Sequence, residues 1–141
     1  NEVIEQKSKI DRVYFEPEHV SASEDAIKAI RNSDMIIAGP GSLYTSIFPV
    51  ILIEGIKKEL EQSKAVKIFI TNIMTENGET DNFSSLDFHK ELSKNGCANL
   101  FDYYVLNIGE IPKDIYDRYR KKGQDIVKNN DCDKSYFLEK E

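Results

Sequence analysis

The stretch Ser33-Asp34-Met35-Ile36-Ile37-Ala38-Gly39-Pro40-Gly41-Ser42-Leu43-Tyr44-Thr45-Ser46-Ile47 decides the fold. Met35 to Ala38 is an unbroken apolar run of strand length, the pattern of a parallel strand buried on both faces. It stops at the turn-forming Gly39-Pro40-Gly41-Ser42. A helical period follows, with Ile51, Leu52, Gly55, Ile56 and Leu60 on one face and Lys57, Lys58, Glu59 and Glu61 on the other. Val66 to Ile70 repeats the apolar strand and flows into Thr71-Asn72-Ile73-Met74-Thr75, and the polar stretch Glu76 to Phe83 with Gly78 reads as a loop.

Working outward, Arg12-Val13-Tyr14-Phe15 is a short β-prone run stopped by Pro17. Ser23 caps a helix that begins with Glu24 and Asp25, acids suited to the positive end of its dipole. Ser84 or Ser85 caps another, running to about Lys94 and ended by Asn95-Gly96. Tyr103 to Ile108 reads as a fourth strand, and Lys113 to Lys122 as a last helix before Gly123. The tail offers only Ile126-Val127 and Tyr136-Phe137-Leu138 in charged surroundings. Strand and helix alternating at this spacing predict an α/β fold: a three-layer, Rossmann-like parallel sheet with helices on both faces.

The 141 residues are 40% hydrophobic and 31% charged, which suits one globular domain. A chain of this length buries about 68% of its unfolded surface without staples. Nineteen Lys and Arg against 25 Asp and Glu leave a formal charge of −6. That balance argues against nucleic acid and against anionic membrane surfaces as partners. The apolar run Ile47 to Ile53 contains Pro49 and is too short to insert in a bilayer. The 2 cysteines, Cys97 and Cys132, form no C-x-x-C, and no histidine is spaced to share a metal. Neither a disulfide framework nor a metal site is expected, and a reducing cytoplasm is the expected compartment.

Open parallel sheets bind ligands beyond the carboxyl ends of their strands. Two loops leave those ends here. In the first, Gly39, Pro40 and Gly41 give close, stiff backbone approach, and Ser42, Thr45 and Ser46 supply hydroxyls ahead of a helix. That is the recipe for a phosphate or carboxylate site, although a plain turn has the same composition. The loop is neither a Walker loop, nor G-x-G-x-x-G, nor G-x-S-x-G. The second loop, Asn72 to Asp81, packs two Asn, two Thr and three carboxylates behind a buried strand. It suits ribose hydroxyls, a base edge or Mg2+ held by one or two carboxylates, or it is a solvated acidic loop. Leaving adjacent strands at the same edge, the two loops are expected to line one crevice. His19, His89 and Cys97 read as ordinary residues, Tyr44 as a stacking or packing ring, and Arg120-Lys121-Lys122 as a solvated helix end.

With both loops in view, the sequence resembles the YvcK/CofD-like family, which includes gluconeogenesis factors and 2-phospho-L-lactate transferases. The resemblance rests on residues 33–47, quoted above, and on Thr71-Asn72-Ile73-Met74-Thr75 followed by Gly78-Glu79-Thr80-Asp81. It covers roughly residues 12 to 127. It implies a Rossmann-like fold and, from the gluconeogenesis-factor branch, a regulatory protein that binds a nucleotide or UDP-sugar and is linked to cell shape and wall synthesis. The transferase branch implies instead that phospholactate passes from a nucleotide donor to a deazaflavin acceptor with Mg2+. Carried over by position, Gly39, Pro40, Gly41, Ser42, Thr45 and Ser46 would serve the phosphates. Asn72, Thr75, Glu79, Thr80 and Asp81 would line the nucleoside or sugar side. Val50 stands where the family commonly has Asn, and Phe88 where it has His, with His89 one place late.

Family members begin with a glycine-rich strand–loop–helix and an acidic Asp-Asp-Gly-Gly segment, and neither occurs in this sequence. The resemblance therefore implies that residues 1–141 are a single α/β domain, the C-terminal portion of a longer protein. Magnitudes then limit what the chain does alone. A charge-assisted hydrogen bond contributes about 1.5–3 kcal/mol net, while micromolar affinity needs about 8 kcal/mol beyond the cost of association. Two or three bonds from one loop predict weak UDP-sugar binding. A rival reading makes Ile47-Phe48-Pro49-Val50-Ile51 the interface of a homo-oligomer rather than core.

Overall fold

The computed structural model describes residues 10–97, 99–129 and 136–137. Helix α1 (Glu24–Arg31) starts where Ser23 accepts a hydrogen bond from the Ala26 amide. Strand β1 (Met35–Ala38) follows. A π-helical turn (Leu43–Ile47) and a short helix α2 (Phe48–Ile51) then lead into α3 (Glu54–Gln62). Strand β2 (Val66–Ile70), helix α4 (Ser85–Lys94), strand β3 (Tyr103–Val105) and helix α5 (Lys113–Arg120) complete the order. Ser84 and Asp87 form a reciprocal capping box at the start of α4, which closes two otherwise unpaired amides.

The sheet is parallel, in the order β1-β2-β3, with Met35 opposite Val66 and Ile68 opposite Tyr103. The α/β class and the parallel sheet are as expected. The third layer is not built by the described residues. When each strand is added on the same side of the last, right-handed crossovers put every connecting helix on one face. Ile56 and Leu60 of α3 and Phe88 and Leu92 of α4 accordingly share one core with Phe69, Tyr104, Ile36 and Ala38. The opposite sheet face, with Met35, Ile37, Val66, Tyr103 and Val105, is exposed. Thus β1 is covered on one face only, by the half-buried Ile36 and Ala38, and not on both.

Three other expectations change. Residues 12–15 form no strand, and Val13 packs on the core from an irregular segment. The fourth strand stops at Val105. The single helix expected after Ser42 is broken into the π-helical turn, α2 and α3. Ile47–Ile51 divides between core and surface: Phe48 and Ile51 are buried and Val50 is exposed. In the tail, Ile126 pairs with Met74 and Val127 is core. Tyr136 and Phe137 lie against His89 and Tyr104. Cys132 and Leu138 fall outside the described residues.

Candidate functional site

The site begins where β1 ends. Gly39 has φ +87°, and a Cβ there would lie 2.4 Å from the Ile70 carbonyl oxygen, so the chain leaves β1 by pressing on the last residue of β2. That contact brings the two loops together. The Gly41 amide donates to Asn72 Oδ1 at 3.0 Å, and Ser42 Oγ donates to Glu79 Oε2 at 2.7 Å. Ser42 Oγ also accepts from the Thr45 amide at 3.1 Å, holding the first turn. The two loops therefore meet at one edge of the sheet, joined by hydrogen bonds.

The second loop is braced from inside. Asn72 Nδ2 donates to Glu76 Oε1 at 3.1 Å, the Glu76 amide to Thr80 Oγ1 at 2.8 Å, and the Gly78 amide to Asp81 Oδ2 at 2.9 Å. Thr75 exchanges bonds with Asp125: its amide donates to the Asp125 carbonyl, and its Oγ1 accepts from the Asp125 amide. Asp125 is in turn held by Arg120 at 2.7 Å and by the Tyr116 hydroxyl. Thr75 and Thr80 are buried, Asn72 nearly so, whereas Thr45, Ser46, Pro40 and Asp81 are exposed.

Beside these loops opens a cleft of about 580 Å3, lined by Tyr44, Glu79 and Asp81 and by Asp87, Lys90, Glu91 and Lys94 of α4. Sequence reasoning left out the α4 residues. The signal was there, since Asp87, Glu91 and Lys94 recur at helical spacing on one face. It also missed Glu76 as a partner of Asn72. Tyr44 is core, and its hydroxyl is pushed up by burial first, then by the Glu91 and Glu79 carboxylates. Glu91 Oε2 is buried without a hydrogen-bond partner. Phe88 fills the core and meets Phe83 edge-on. His89 lies between the Tyr104 and Tyr136 hydroxyls.

Carboxylates with two ammonium groups at their margin make a surface that accepts hydrogen bonds. That suits hydroxyl-rich ligands and works against a bare diphosphate. Among the described residues no group of three or more His, Cys, Asp or Glu side chains is placed to hold a metal ion. Glu76 and Glu79 set two carboxylates close together at this edge.

Burial first, and then the adjacent Glu79 carboxylate, hold the Glu76 carboxyl above its ordinary value. The folded chain thus keeps this proton to higher pH than the unfolded one. The stabilising contribution is complete below the ordinary pKa and is lost as pH rises through the folded value. Glu76→Gln keeps the carbonyl that accepts from Asn72 and carries no charge. It is expected to be more stable than the parent near pH 7, by less than about 1 kcal/mol because the group is part-exposed. The gap should close towards pH 4, around the ordinary Glu pKa. Thermal unfolding across that range checks it, and a constant gap overturns it.

Three kinds of likeness bear on this site. A gluconeogenesis factor of Listeria monocytogenes is 42% identical over 110 residues, 78% of this chain and 34% of the relative. A putative gluconeogenesis factor of Clostridium acetobutylicum is 37% identical over 130 residues, 91% of this chain and 29% of the relative. The Bacillus subtilis gluconeogenesis factor is 38% identical over 111 residues, 79% and 35% respectively. The chain thus spans about a third of the length of the relatives it matches. The crystal structure of a UPF0052 family member from Bacillus halodurans superposes with a TM-score of 0.89 at 30% identity, covering 96% of this chain and 44% of that one. The profile of the family described as 2-phospho-L-lactate transferase CofD matches residues 1–139, almost the whole sequence. The interlocked loops at the sheet edge are therefore those of a relative of the gluconeogenesis factors, and the chain belongs to the CofD family.

Proposed function

We propose that this chain supplies one wall of a nucleotide-sugar site in a non-catalytic, cytoplasmic regulatory protein of the gluconeogenesis-factor type, with a UDP-sugar as ligand and cell-wall synthesis as the process it serves. The observation that carries the reading is the pair of bonds Gly41–Asn72 and Ser42–Glu79, which builds one polar surface from two distant segments. On it, Asn72, Glu76 and Glu79 take the ribose or sugar hydroxyls. The backbone from Gly39 to Ser42, with the hydroxyls of Thr45 and Ser46, approaches the phosphates. The Gly41 amide and Ser42 hydroxyl already have partners, so a ligand exchanges those bonds rather than adding to them. Weak binding by the chain alone follows.

The test is a titration of the 141-residue chain with UDP-glucose, followed by NMR amide shifts and by calorimetry. Saturable shifts at residues 39–46 and 72–81 are expected, with a dissociation constant weaker than about 100 μM. Gly41→Ala adds a methyl whose nearest neighbours are the Ile47 Cδ1 and Ser46 Cβ atoms at 3.8 Å, so the fold tolerates it while the ligand's approach is blocked. Shifts confined to another surface, or a low-micromolar constant, overturn the reading.

The family's name favours a second reading, in which the protein transfers phospholactate from a nucleotide donor to a deazaflavin alcohol. In that case Glu76 and Glu79 would hold Mg2+ against the donor's phosphates, and the ion would neutralise charge on them. Incubation with Mg2+, acceptor and activated phospholactate separates the two, because only the transferase forms product.

A further inference from the structure

Among the described residues, two side-chain oxygens are buried with no hydrogen-bond partner: Glu91 Oε2, in the cleft beside the loops, and Asn129 Oδ1. Asn129 lines a separate pocket of about 350 Å3 with residues 107–109 and 126–128. Its Nδ2 donates to the Asn107 carbonyl oxygen at 2.7 Å. A carbonyl only accepts, so the amide is held in this one orientation and Oδ1 is left as an acceptor. Buried acceptors without a donor are few in folded chains, and each calls for a reason. The walls around this one are mostly apolar. Ile126 and Val127 are tied to the second loop, because Ile126 pairs with Met74 and the Val127 amide donates to the Ile73 carbonyl at 2.9 Å. The Asn107 side chain closes on Gly109, donating to its carbonyl oxygen at 3.2 Å and accepting from its amide at 3.3 Å. That closed turn carries Ile108, which at 81% is the most exposed large apolar side chain among the described residues.

We infer that this pocket takes the uracil ring of the nucleotide, its face against Ile108 and its ring N–H donating to Asn129 Oδ1. The inference deepens the nucleotide-sugar reading and rests on it. The pocket follows β3 as the two loops follow β1 and β2, at the same edge of the parallel sheet. Adjacent strands lie about 4.8 Å apart, so the ends of β1 and β3 are about 10 Å from one another, a span over which a nucleotide reaches from diphosphate to base. Apolar walls with a few fixed polar groups are how proteins hold flat heterocycles. The acceptor sets the choice of pyrimidine: uracil carries a hydrogen on ring nitrogen 3, whereas cytosine presents a bare, accepting nitrogen there. The pocket is too small for a whole nucleotide sugar, which leaves the phosphates and the sugar to the two loops.

The experiment follows NMR amide shifts of the 141-residue chain titrated separately with uridine, 3-methyluridine, cytidine and UDP-glucose. Uridine, which has no phosphate, is expected to move residues 107–109 and 126–129 saturably in the millimolar range. Cytidine, and 3-methyluridine with its ring nitrogen blocked, are expected to bind weaker by about tenfold. Ile108→Ser changes only an exposed side chain and is expected to weaken uridine about fivefold. Asn129→Leu is expected to erase the preference for uridine over 3-methyluridine. The ligand comparison needs no variant and stands if Asn129→Leu misfolds. Uridine shifts confined to other segments, none up to about 20 mM, or equal binding of 3-methyluridine overturn the inference. UDP-glucose separates the two readings. Shifts at residues 39–46 and 72–81 with none at 107–109 and 126–129 sink the base pocket alone. Uridine shifts at the pocket, with both loops unmoved by UDP-glucose, support the pocket and sink the nucleotide-sugar reading.

Discussion

Gly39→Ala is expected to lower stability by about 3–5 kcal/mol, and Gly41→Ala, two residues on, by less than about 0.5 kcal/mol. The difference comes from backbone geometry alone. At Gly39 the φ of +87° is strained for any L side chain, and the added methyl would sit 2.4 Å from the Ile70 carbonyl oxygen, which belongs to the strand neighbouring β1 and cannot swing aside. Relief requires β1 and β2 to part at their carboxyl ends, where Ala38 is paired with Phe69. Separation there pulls Gly41 from Asn72 and Ser42 from Glu79, so the polar surface goes with the stability. Small domains are stable by about 5–15 kcal/mol in all, which makes the expected loss a large fraction of the total. Urea unfolding of the two variants beside the parent measures both losses. Equal losses at the two positions would show that the close approach of the strands does not constrain the turn.

Much of the fold was legible because local signals agreed. The apolar runs Met35–Ala38 and Val66–Ile70 are the strands to the residue, and Ser23 and Ser84 cap the helices they precede. Arg12–Phe15 has the composition of a strand, but a strand needs a neighbour. The described edges of the sheet are β1 and β3, and residues 12–15 join neither. The order β1-β2-β3, and with it the single covered face, depends on how strands add across the sheet, which no local pattern encodes. The strand composition nonetheless demanded two covered faces, whereas Met35, Ile37, Tyr103 and Val105 leave one face open.

The candidate site divides in the same way. That the two loops would meet followed from strand adjacency, and the Gly41–Asn72 contact is the result. Where their donors would point did not follow, because Ser42 meets Glu79 only once β1 and β2 are in register. Nor could Thr75 be read as a brace, since its partner Asp125 lies 50 residues away. Composition identified the polar loop, and only the tertiary contacts separate its buried braces, Thr75 and Thr80, from exposed Asp81, Thr45 and Ser46.

The second large effect is expected at Phe48, where aspartate should abolish folding, while Val50→Asp leaves stability within about 0.5 kcal/mol of the parent. Both residues lie in the apolar run that could serve either as core or as an interface between copies. Phe48 is 0% exposed, packs its ring 5.6 Å from that of Tyr44, and belongs to the cluster that joins Leu43, Ile51 and Phe69. Removing a buried phenyl ring costs about 3–5 kcal/mol. Placing an unpaired carboxylate in its stead adds several more before the group protonates. Together these equal or exceed the stability of a domain of this size. Val50, two residues on, is half-exposed and faces away from that cluster. Soluble yield and circular dichroism decide the matter, with light scattering on whatever remains soluble. An interface residue would give a folded Phe48→Asp protein with a smaller assembly state, and that result would move the run from core to contact surface.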